Sequence, residues 1–152
     1  MTLPDIQVAA TLPENKLPIV SIGMGGIVHD AHYPAYKIAG FEGVGGFDVN
    51  REQAEKMAAE HGVSLVYDSL EDAFARAPEN AVFDLAVPGK NITEILDAMP
   101  EGRAALIQKP MGDTLDEARA ILKICRDKNI TAAINFQMRT MPHVIAARDM
   151  IA

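Results

Sequence analysis

The chain has 152 residues, room for one domain with a substantial core and little more. Hydrophobic residues make up 49% and charged residues 23%, the balance of a globular rather than a disordered chain. A formal net charge of −7 excludes electrostatic capture of a nucleic-acid backbone or an anionic membrane, and no apolar run approaches the ~20 residues that span a bilayer.

Residues 1–17 hold Pro4, Pro13 and the Asn15-Lys16 pair around a possible short strand, Ile6 to Leu12. They read as an N-terminal extension that packs on the domain or stays mobile. An acid and a proline near the start, with no basic region, argue against a secretory signal. The single cysteine, Cys125, falls in a helical pattern and cannot form an internal disulfide, so a buried, inert thiol and a cytoplasmic address are expected.

The stretch from Pro18 to Asn50 organises the rest. Ile19 to Ile22 is a short buried strand, followed at once by Gly23, Gly25 and Gly26 and then by a helix from Ile27 to Ala39. A second strand, Val44 to Val49, carries Asp48 near its end. Strand, glycine turn, helix and acid-tipped strand make a dinucleotide-binding βαβ unit. Gly23 permits the turn off the strand, and Gly25 has no Cβ to keep a pyrophosphate away. Met24, Gly26, Ile27 and Val28 complete the loop, where the helix start aims unpaired N–H groups and its positive dipole end at the phosphates. Val28 stands where a third glycine serves helix–strand packing, so it should widen that contact without removing the phosphate site. Asp48, with Val49 beside it, can accept hydrogen bonds from the adenosine ribose and repel a 2′-phosphate. Arg51 could partly offset that repulsion. NAD is therefore expected to bind better than NADP, with NADP possible.

Arg51 to His61 reads as a polar-faced helix with Asn50 as N-cap and Gly62 as its stop. Val63 to Tyr67 is a short strand, and Ser69 caps a helix through Arg76, with Asp72 in the place of a capping-box acid. Ala81 to Val87 is an apolar strand halted by Pro88-Gly89, and Asn91 is the candidate cap of a helix to about Met99. Ala104 to Ile107 is a strand ending in Gln108-Lys109-Pro110. Thr114 and Glu117 form a capping box for a helix whose apolar stripe is Leu115, Ala118, Ile121, Leu122 and Cys125. Ile130 to Phe136 is the last strand, and a helix from His143 to Ile151 follows Pro142. Alternating strands and helices imply a doubly wound parallel sheet in an α/β/α sandwich, with Gly23, Asp48, Pro88, Lys109 and Asn135 gathered along one edge. His29 and His32 could form a metal pair only with further ligands, and no such cluster is evident in the sequence, so no metal is expected.

The motifs GMGGIVHDAHYPAYKIAGFEGVGGFDVN, AVPGK, IQKPMG and NFQMRT together resemble the Gfo/Idh/MocA oxidoreductases, over roughly residues 18–152. The resemblance implies an N-terminal Rossmann domain, here 18–137, that binds NAD(P), and hydride transfer to or from a sugar, polyol or related small molecule. It gives Lys109 the place of the lysine that reaches the nicotinamide ribose and the substrate oxygen. Gln108 replaces the family's glutamate and Val87 the threonine before Pro88. The histidine commonly found a few residues after that proline has no counterpart in Asn91-Ile92. Asn135 and Arg139 fall in the stretch that lines the family's cofactor and substrate cleft, although a solvated helix-end charge is an equal reading of Arg139. The family's remaining catalytic Asp and His belong to a C-terminal domain, of which residues 138–152 would be the start. The 152 residues are thus expected to bind cofactor without turning over substrate. Apolar surface around Met138, Met141, Ile145 and Ile151 should pack back on its own domain or on a neighbouring copy, and a homo-oligomer is expected. A redox-sensing module or an interaction module on the same fold is the alternative.

Overall fold

Parallel pairing joins β1 (Ile19–Ile22) to β2 (Gly43–Phe47) on one side and to β3 (Val82–Leu85) on the other, and β4 (Ala104–Gln108) and β5 (Thr131–Asn135) extend the sheet in the order β2-β1-β3-β4-β5. Parallel neighbours need crossovers, and these are α1 (Tyr33–Ala39), α2 (Arg51–His61) with α3 (Leu70–Arg76), α4 (Ile92–Ala98) and α5 (Leu115–Asp127). The result is the doubly wound α/β/α sandwich. The computed structural model describes residues 6–151, which form two units: residues 15–135 carry the sheet, and residues 136–151 group with 6–14.

Period-2 alternation sorts the strand residues. Val20, Ile22, Phe83, Leu85, Ala105 and Ile107 turn to one face and pack with Phe74, Ile95, Leu96, Met99 and Ile121. On the opposite face Ser21 and Asp84 sit in register on β1 and β3, 0% and 1% exposed. A second apolar cluster joins Met24, Val28 and Tyr33 to Ala54, Met57 and Ala58 of α2.

Local chemistry explains most boundaries. Asn50 accepts the Gln53 amide at 3.2 Å, Ser69 accepts that of Asp72 at 3.1 Å, and Thr114 with Glu117 closes a reciprocal capping box. Asp72 turns instead to the Asp68 amide, at 3.1 Å, so α3 has a cap without a box.

Several expectations fail. Ile6 to Leu12 is not a strand: among the described residues its unit holds no other strand to pair with, and the Gln7 amide donates to Asp149 at 3.0 Å. Val63 to Tyr67 contracts to one parallel bridge, Gly46 to Val66, because the Ser64 hydroxyl takes the Val44 carbonyl that a longer ladder would use. Asn91 does not cap α4; it ends a 3₁₀ turn, Gly89–Asn91, in right-handed helical geometry. Leu115 and Leu122 leave the apolar stripe of α5 and are exposed, while Ile121 and Cys125 are buried. The helix expected from Ile27 is interrupted by a π turn, Val28–His32, before α1. In the smaller unit α6 (Pro142–Ile151) follows a 3₁₀ turn, Gln137–Thr140. Met138, Met141 and Ile151 are exposed there, but Ile145 is buried.

Candidate functional site

The strand register places Phe47, Ile22, Leu85, Ile107 and Ile134 in one row across the sheet. The residues that follow them, Asp48, Gly23, Ala86, Gln108 and Asn135, therefore share the carboxyl edge. At the switch point between β1 and β3 this edge opens into a cleft of about 500 Å³. Gly23, Gly25, Asp48, Val49, Val87 and Pro88 line it, all expected from the sequence. Leu70, Asn91, Glu94 and Ile95 line it too and were not expected. Asn91 and Ile95 are one turn apart at the start of α4, a helical spacing visible in the sequence once Asn91 is not assigned to capping.

The turn is built tightly. Gly23 has φ +88°, and a Cβ there would stand 2.6 Å from the Ala86 carbonyl oxygen, so no other residue fits. A Cβ at Gly25 would meet nothing within 4 Å, which leaves its side of the turn open to the cleft. The Val28 and His29 amides close on the Gly25 carbonyl at 3.0 and 3.1 Å, and the amides before them precede the helical ladder. Val28 is fully buried. Gly46 of β2 makes room for Met24, whose thioether a Cβ there would meet at 2.5 Å.

Asp48 does more than the sequence suggested. Its Oδ2 accepts the Met24 amide at 2.7 Å and its Oδ1 accepts the Asn50 amide at 2.8 Å, so the carboxylate ties the glycine turn to the start of α2. Each oxygen keeps a second lone pair, and the residue lines the cleft. Arg51 lies away from the cleft, exposed and paired with Glu55 at 2.6 Å and with Asp68, and these acids raise its already high pKa. Met24 is buried, while Gly26 and Ile27 face outward.

Gln108, Lys109 and Pro110 leave β4 on the same edge but do not line the cleft. Lys109 is exposed, and its amide donates to Gln108 Oε1 at 2.9 Å. Asn135 pairs across from Gln108 on β5. Arg139 belongs to the smaller unit.

A buried polar layer lies beneath this edge. Asp84 Oδ2 accepts from His32 Nδ1 at 2.7 Å and from the Tyr36 hydroxyl at 2.9 Å. Burial first, then the Asp84 charge, pushes the Tyr36 phenol upward, and burial alone is the main reason that Tyr33 rises to about 12. His29 does not pair with His32. It meets Asp30 at 2.7 Å and Glu60 at 3.3 Å, both of which raise its pKa, and His29, Glu60 and His61 bring three potential ligand atoms within 4.8 Å. This is a denser cluster than the sequence suggested.

A glycine turn at the switch point of a doubly wound parallel sheet, closed by an acid at the end of the next strand, defines a dinucleotide-binding Rossmann domain. Residues 17–136 match the model of the oxidoreductase family with an NAD-binding Rossmann fold, GFO_IDH_MocA, and the chain belongs to that family. It is 27% identical over 105 residues to a D-xylose 1-dehydrogenase [NADP(+)] of Haloarcula marismortui, covering 67% of this chain and 29% of the relative. It is 25% identical over 131 residues to a 1,5-anhydro-D-fructose reductase of Ensifer adhaerens, covering 86% and 39%. The fold also matches the WlbA dehydrogenase of Bordetella pertussis, solved with NADH and UDP-GlcNAcA, at TM-score 0.73 and 22% identity, over 90% of this chain and 42% of that one. The chain thus spans well under half the length of these relatives. No helix among the described residues is long and apolar enough to cross a membrane.

Proposed function

We propose that the cleft at the switch point holds NAD(H), and that the protein to which this domain belongs moves hydride between the nicotinamide and a CH–OH carbon of a sugar or polyol. One observation carries the reading: Gly23, Gly25, Asp48 and Pro88, distant in sequence, line one cleft at the carboxyl edge of the sheet. Gly25 leaves space for the pyrophosphate, and the amides at the helix start face it. Asp48 accepts from the ribose hydroxyls with the lone pairs that Met24 and Asn50 leave free. Bound nicotinamide supplies the hydride acceptor. Lys109, on the same edge, holds the substrate hydroxyl and favours negative charge on its oxygen as the hydride departs, while a base takes the hydroxyl proton. Residues 138–152 would begin the substrate domain, and the family's Asp and His in that domain complete the site. We place this protein in the cytoplasm as a homo-oligomer.

Two relatives named as NADP(+)-dependent favour a second reading, with NADP in the cleft. Arg51 would then have to leave Glu55 and Asp68 to reach a 2′-phosphate past Asp48. Fluorescence titration with NADH and NADPH separates the two. NADH should bind about tenfold tighter or more, the discrimination that a carboxylate against a phosphate provides. Equal or tighter NADPH binding reverses the assignment, and no binding of either removes the cofactor reading.

A further inference from the structure

The AVFDLAV run places an acid in the middle of a buried strand, and the cofactor cleft makes no use of it. Asp84 is 1% exposed, and its partners His32 and Tyr36 come from the π turn and α1, 52 and 48 residues earlier. The other nitrogen of His32, Nε2, lies 3.4 Å from Gln108 Nε2, and Gln108 Oε1 accepts the Lys109 amide at 2.9 Å. The four side chains and one backbone amide make a continuous line from β3, through the helix, to the end of β4.

Donor and acceptor inventory fixes the protons along this line. The Lys109 N–H can only donate, so the Gln108 carboxamide presents its oxygen to Lys109 and its NH₂ to His32. The NH₂ can only donate, so His32 Nε2 accepts. The Nδ1–H then donates to the Asp84 carboxylate, and Tyr36, whose phenol burial holds protonated, donates to the same oxygen. The ring is neutral with its proton on Nδ1. An imidazolium would point N–H at NH₂, and turning the amide over to relieve that would point NH₂ at the Lys109 N–H. Burial keeps water from substituting for either partner of Asp84.

We infer that His32, held in one tautomer by Asp84 and Tyr36, is a positioning residue that orients the Gln108 carboxamide and through it the backbone of Lys109. The role deepens the dehydrogenase reading, on which its relevance to hydride transfer rests, but the line itself exists without cofactor. It also accounts for glutamine at this place: a glutamate carboxylate has no N–H to donate and would face the lone pair of Nε2.

Nitrogen-15 NMR of the 152-residue chain tests the inference without cofactor. Long-range ¹H–¹⁵N correlations should show His32 neutral with the proton on Nδ1. Exchange of the Lys109 amide should accelerate about tenfold in Gln108→Ala and in His32→Ala, the loss of one closed hydrogen bond. The Gly102 amide, bonded to the Lys128 carbonyl at 2.9 Å, should keep its rate. An Nε2–H tautomer, a charged ring, or an unchanged Lys109 rate in Gln108→Ala overturns the proposal. If His32→Ala does not fold, Gln108→Ala, which leaves the buried pair intact, together with the tautomer, still decides it. A separate NADH titration of the wild-type chain shows whether the cofactor reading holds, so the two cannot be confused.

Discussion

The face of the sheet built on Val20, Ile22, Phe83, Leu85 and Ile107 is apolar, whereas the face under the π turn and α1 carries Ser21 and Asp84, sealed beneath His32 and Tyr33. Ser21 and Asp84 are as dry as the apolar residues opposite, yet the two groups contribute differently. On the first, each side chain removed from water stabilises by about 1.5–3 kcal/mol, in proportion to area and with little demand on geometry. On the second, hydrogen bonds lost to water are only replaced, so the net gain is small, while breaking one partner is expensive. The apolar face holds the domain together. The polar face carries the line that we infer orients Gln108 and Lys109 at the end of β4.

The largest effect should come from cutting the apolar face. Phe83 is 0% exposed, with Phe74 edge-on at 5.1 Å and the Arg103 guanidinium over its ring. Phe83→Ala should cost about 3–5 kcal/mol in urea unfolding. A cost below about 1 kcal/mol would mean that this face is not the stabilising one.

Asp84→Ala should cost about 2–3 kcal/mol by stranding His32 and Tyr36. The contrast sharpens with the double replacement Asp84→Leu, His32→Leu, which should recover part of that loss, because only the Tyr36 hydroxyl is then left without its acceptor. A double variant as unstable as Asp84→Ala would show that the polar layer stabilises the fold by itself.

The smallest effect lies on the wet side of the same turn. Asp30 and then Glu60 raise the His29 pKa above 6.5. A raised value means that the protonated ring favours the folded state, so this contribution is fully present below pH 6.5 and fades as pH rises through the folded value. His29→Gln should flatten the dependence of Tm on pH across about pH 6 to 8. A steeper dependence in the variant would reverse the sign.

The same contrast explains what was legible in the sequence. The βαβ unit could be read because its turn, helix start and terminal acid are local, each fixed by residues a few positions apart. Capping by Asn50, Ser69 and Thr114 is equally local. Asp48 was visible as a strand-end acid, but its hold on the Met24 amide spans 24 residues and needs the sheet to exist first. The polar layer was harder still. His32 reaches Asp84 only because the π turn buries it, and a π turn has no periodicity of its own to detect. An acid inside an apolar strand run was the available signal. Val63 to Tyr67 failed in the opposite direction, since strand-forming residues were present but Ser64 took the carbonyl of a prospective partner strand.

Gly25 offers the most direct test of the cofactor cleft, because its missing side chain faces open space rather than packed atoms. NADH titration of the wild-type chain and of Gly25→Val, each with a thermal melt, separates binding from folding. The variant should melt within about 2 °C of wild type, since no atom is displaced, and bind NADH more weakly by about a hundredfold or more, since the isopropyl group would stand in the space proposed for the pyrophosphate. Equal NADH affinity in the two proteins would mean that the cofactor does not lie in this cleft.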